Sequence, residues 1–111
     1  MDTIKVSATS RTAAVAGAIA GMVREHHRAV VQAIGAGAVN QAVKALILAT
    51  GYLREDGILV TCVPEFADVI IEDKVRTAVK LVVEPSPGSD FSSIRLSTPK
   101  RMELPPLEPK V

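Results

Sequence analysis

No tryptophan, one tyrosine and two phenylalanines leave this chain of 111 residues almost without large flat side chains. Tyr52, Phe66 and Phe91 are its only Phe, Tyr or Trp residues, and none sits in a recognisable base-stacking platform. A single cysteine, Cys62, excludes an intrachain disulfide, and its apolar surroundings predict a buried small hydrophobe. The opening MDTIKV has neither a basic cluster nor a long apolar run, so no secretory leader is read there. No apolar stretch reaches the ~18 residues a bilayer span requires. The expectation is a soluble, cytoplasmic protein with no membrane partner. Charge of either sign is also in short supply. The formal net charge is +1, with nine Lys/Arg against nine Asp/Glu in residues 1–85 and four against three in 86–111. Proteins that coat nucleic acid without sequence preference carry a strong basic excess. Here only a local basic patch can serve that role.

What is present is small and β-branched: fifteen Ala and fifteen Val, with hydrophobic residues at 48%. That is enough for the core of one domain. Residues 3–7, TIKVS, read as a strand. The run that follows has Ser10 or Thr12 as a helix cap and Val15, Ile19, Met22 and Val23 as an apolar stripe. Gly17 and Gly21, one turn apart in that helix, suggest that another element approaches closely. The adjacent His26 and His27 end it and point in different directions, so they do not chelate one metal.

AVVQAI (29–34) reads as a second strand, and a second helix runs from about Ala38 to Tyr52, with Val39, Val43, Leu46 and Leu53 as its core stripe. Its C-terminal half is apolar nearly all round, which predicts a second subunit over Ala45, Leu48 and Tyr52. ILVTCV (58–63), then FADVII (66–71) beyond Pro64, a turn at 72–74 and VRTAVKLVVE (75–84) complete the pattern. Pro64 implies an edge position or a bulge. The order is β-α-β-α-β-β. It predicts a two-layer α/β sandwich (α+β) with a mixed four-stranded sheet and both crossover helices on one face. From Pro85 the composition changes: six of the seven prolines lie in 85–109. The expected division is a folded domain over 1–85 and a Pro/Ser-rich, disordered tail over 86–111.

Two segments carry the functional reading. In IGAGAVNQAVKA (34–45), Gly35 and Gly37 let backbone amides at a helix start point at one anion. Asn40 and Gln41 can add hydrogen bonds there, and Lys44 a positive charge. The plain alternative is a glycine-permitted turn. In SATSR (7–11), the hydroxyls of Ser7, Thr9 and Ser10 and the Arg11 guanidinium occupy the other strand–helix corner. In parallel βαβ units both corners fall at one rim of the sheet, so the two can share a phosphate-bearing ligand. Lys5, Arg76 and Lys80 either extend a basic track or are solvated strand residues. No nucleophile–base pair, metal cluster or paired carboxylates are evident, so neither an enzyme nor a cofactor is expected.

The runs KVSATSRTAAVAGAIAGMVRE, VQAIGAGAVNQAVKAL and TAVKLVVEP resemble the stage V sporulation protein S family over about residues 2–85. That resemblance implies an Alba-like fold with strand order 1-2-4-3, a dimer or higher homo-oligomer, and a regulator of sporulation or development binding DNA or RNA. Set against Alba itself, the basic residues of the second corner are replaced by IGAGAVNQ. Glu65, Asp68, Glu72 and Asp73 also make the last hairpin an acidic arm ill suited to a duplex groove. The competing expectation is an assembly protein that oligomerises through the second helix. Its tail, with LPPLEPK (104–110), would recruit a protein partner.

Overall fold

Six elements follow one another in the structure, a computed structural model that describes residues 2–86. They are β1 (Ile4–Val6), α1 (Thr12–His26), β2 (Ala29–Ala33), α2 (Ala36–Glu55), β3 (Val60–Ile71) and β4 (Lys74–Pro85). The strands form one sheet in the order β1-β2-β4-β3. β1 and β2 pair in parallel, and β4 runs antiparallel to both of its neighbours. The tail expected from residue 86, with its proline motif, lies from residue 87 onward outside the described residues.

Pro64 interrupts nothing. Lacking an amide proton, it needs a strand with an unpaired side, and β3 is at the edge of the sheet. The register of β3 against β4 runs without a bulge from Val60↔Pro85 to Ile71↔Lys74. Glu72 and Asp73 make the two-residue turn, both at positive φ (51° and 64°). This is the geometry of the tight hairpin whose own twist matches that of its strands.

Side chains alternate across the sheet. Ile4, Val6, Ala29, Val31, Ala33, Val79, Leu81 and Val83 pack with the helices. The opposite face carries a row in register across all four strands: Lys5, Gln32, Lys80 and Glu65.

The core is built from smaller residues than hydrophobicity alone predicts. In α1, Val15, Ile19 and Val23 are buried as expected, with Ala16 and Ala20 beside them, and Met22 packs at the margin. In α2 the inward stripe is Ala38, Ala42, Ala45, Ala49 and Leu53. The expected stripe is thus corrected: Leu53 is inside, Val39 and Leu46 are at the margin, and Val43 is exposed. Short alanine side chains let helix and sheet backbones approach closely. That approach does not occur at Gly17 or Gly21, where an added Cβ would meet nothing within 4 Å. Cys62 is half-buried at the core margin, and burial pushes its thiol above the ordinary value.

Candidate nucleic-acid interface

β1 and β2 end at the same rim, and each feeds a helix through a short corner. The second corner turns at Gly35 (φ 93°, ψ 156°), a conformation open to glycine and strained for other residues. The helix begins at Ala36, two residues before its expected start. The first corner is Ser7–Arg11, with Arg11 in extended conformation ahead of Thr12.

Neither Ser10 nor Thr12 caps α1, contrary to expectation; no side chain caps either helix, and neither first turn holds an acid. Ser10 Oγ instead accepts the Ser7 backbone N–H at 2.8 Å. The Ser7 hydroxyl lies 3.2 Å from that of Thr9 and 3.3 Å from that of Ser10. The Ser7 hydroxyl also accepts the Thr9 backbone N–H at 3.3 Å, so it is fully engaged in holding the loop's shape, whereas the Thr9 and Ser10 hydroxyls keep capacity to spare. The uncapped first turns leave amide protons at both N-termini, where the helix dipole favours an anion.

The two corners meet. Gly37 lies so close to Ala8 that an added Cβ would fall 2.9 Å from the Ala8 Cβ. The Gln41 side-chain amide donates to the Ser10 carbonyl at 2.8 Å. Gln41 thus braces one corner against the other. Gly37, Gln41 and Lys44 share one helical stripe, so Lys44 follows the brace by one turn, exposed to solvent. Arg11 and Asn40 are exposed as well.

Leu48 and Tyr52 continue the stripe of Gly37, Gln41 and Lys44 toward the far end of α2. Ile47 (65% exposed), Val43, Leu48 and Tyr52 leave the outer side of this helix apolar and bare. Ala45, expected beside Leu48 and Tyr52 on that surface, is fully buried in the chain's own core.

The β3–β4 hairpin overhangs the same rim. β2 ends opposite Val79, while β4 begins five residues earlier at Lys74. The overhanging arm walls a cleft of about 440 Å³ at the rim, lined mainly from the sheet face opposite the helices, with Val6 and Ile70 reaching it from the other face. Lys5, Ser7, Gln32 and Ile34 line one side, and Val69 and Ile71 the other. Alternation sorts the arm's charges. Arg76 pairs with Val69 and Lys74 with Ile71, so both cations share the cleft's face, whereas Asp68, opposite Thr77, faces away. Of the acids on that face, Glu65 lies 4.0 Å from Lys80 and Glu84 is 3.5 Å from Arg28. The arm is acidic at its turn and basic along one face, which a count of its charges conceals.

The fold and the rim define a small two-layer α/β domain of Alba-like topology, with two strand–helix corners fused into one surface. The family model of stage V sporulation protein S (SpoVS) matches residues 2–86, and the chain belongs to that family. The family is a non-catalytic one. Among the described residues, no three His, Cys, Asp or Glu side chains gather as a metal site, and no helix is long and apolar enough to cross a membrane.

Proposed function

We propose that this protein is a non-enzymatic, dimeric regulator of sporulation or development that acts in the cytoplasm by binding nucleic acid at the joined corners. The observation that carries this reading is the close approach of Gly37 to Ala8, reinforced by the Gln41–Ser10 bond. It sets two uncapped, acid-free helix N-termini side by side. Arg11 and Lys44 supply the positive charge, and phosphate contacts dominate over base readout.

Binding to labelled oligonucleotides, measured over a series of salt concentrations, tests this. Affinity should fall linearly on a log–log plot as counterions are released. Arg11→Ala combined with Lys44→Ala should weaken binding and flatten the slope by about 1 for each phosphate no longer neutralised. A slope unchanged in the double variant removes the corners from the interface.

The bare outer side of α2 supports the dimer, and with it the second reading, assembly through this helix with the tail recruiting a partner. Ile47 and Leu48 are exposed apolar residues on a helix whose polar positions there are few. Ile47→Glu with Leu48→Glu should leave the fold intact and convert the oligomer to monomer in light scattering. An unchanged mass would place the interface elsewhere. Assembly without nucleic-acid binding by the wild type would favour the second reading.

A further inference from the structure

We propose that the cleft under the β3–β4 arm takes one unpaired nucleobase of a single-stranded nucleic acid. This rests on the phosphate-binding reading of the corners and deepens it. The cleft's volume, about 440 Å³, falls within the range of small-molecule pockets, roughly 300–1,000 Å³. Its chemistry is that of a base: flat faces to cover and a polar edge to satisfy. Ile34 on one side and Val69 with Ile71 on the other provide aliphatic walls. Gln32 offers a donor and an acceptor on one amide, and Lys5, its partner across the strand pair, adds an ammonium.

The position of charge selects a strand over a free nucleotide. Ser7 joins the cleft directly to the first corner, so amide protons and Arg11 lie on one flank. Lys74 and Arg76 do not line the cleft but pair with Ile71 and Val69 of its other wall and share their face of the arm. A continuous backbone presents phosphates on both sides of a base, whereas an ordinary mononucleotide presents them on one. Duplex DNA is disfavoured twice. Its bases are paired and stacked, and Glu72 and Asp73 at the arm's turn repel the phosphates that flank a groove.

Four probes decide the matter: a short single strand, the same backbone without bases, the duplex, and a mononucleotide. The base-bearing strand should bind about tenfold tighter than its abasic counterpart, through apolar area covered by the aliphatic walls, and tighter than the duplex or the mononucleotide. Gln32→Ala and Val69→Ala should each weaken that preference while leaving abasic binding and its salt dependence in place. Ile34→Ala gives a third, uncharged variant on the opposite wall should Val69→Ala disturb the arm. Equal affinity for base-bearing and abasic strands overturns the cleft assignment and leaves the corner reading standing. A mononucleotide that binds as tightly as the strand overturns the strand and retains the base. No binding of any oligonucleotide overturns both.

Discussion

Leu53→Ala is expected to cost about 2–5 kcal/mol of unfolding free energy, a large part of the roughly 5–15 kcal/mol that holds a domain together. The reason lies in how little else the core contains. Ile19 and Leu53 head the largest fully buried side chains, and the rest of the inward face of α2 is alanine. Ile58, Val60 and Cys62 pack at the margin of the same cluster. Alanines cannot swing into a cavity, so the space left by three deleted carbons stays empty. The backbone here is also fixed, since the N–H groups of Asp56 and Ile58 both donate to the Leu53 carbonyl at 2.9 Å. Urea melts at constant slope measure the effect. Glu55→Ala, exposed on the same helix and away from its apolar outer patch, serves as the control and should change stability by less than about 1 kcal/mol. Equal losses at the two positions would mean that the inward face of α2 has been misassigned.

The same helix shows where sequence stops short. Its existence follows from a periodic apolar run after Gly35, but it spans Ala36–Glu55 where the sequence predicts only about Ala38 to Tyr52. Its inward face does not follow, because two stripes of equal period compete: Val39, Val43 and Leu46, and Ala38, Ala42, Ala45 and Ala49. Transfer free energy favours burying the larger residues. The winning stripe is the one that lets α2 seat close to its neighbours. Backbone separation decides, and a local pattern does not contain it.

The rim was more legible. Two βα corners at the carboxyl ends of parallel strands must fall on one edge, and the structure fuses them through Gly37 and Gln41. The brace by Gln41 was hidden, because a first-turn amide reads equally as a ligand-facing donor. The cleft was hidden for another reason. Its far wall comes from residues some sixty positions along the chain, brought over the rim by the overhang of β4 beyond β2. Yet part of it could have been found. Once the turn is placed at Glu72–Asp73, simple alternation puts Lys74, Arg76 and Lys80 on one face with Gln32 and Lys5. Counting the hairpin's charges without sorting them by face concealed its basic side.

Gly37→Val is the substitution expected to harm binding most, and its effect separates shape from charge. Nothing charged is removed. In an ordinary helix first turn a glycine replaced by a side chain gains stability, by up to about 1 kcal/mol for alanine. Here the new Cβ would sit 2.9 Å from that of Ala8 and drive the corners apart. Overpacking of this kind costs about 1–3 kcal/mol, and it strains the Gln41–Ser10 brace at the same time. Affinity for the single strand should drop at least tenfold, with the loss in the joined site and not in net charge. Gly37→Ala makes the cleaner cycle. Alone it should destabilise; with Ala8→Gly, which removes the opposing methyl, it should become neutral or stabilising and binding should return. Such a sign change with the second substitution is the coupling of two touching residues. If Gly37→Ala is harmless in the presence of Ala8, the corners are not packed against each other, and a shared phosphate site at this rim loses its physical basis.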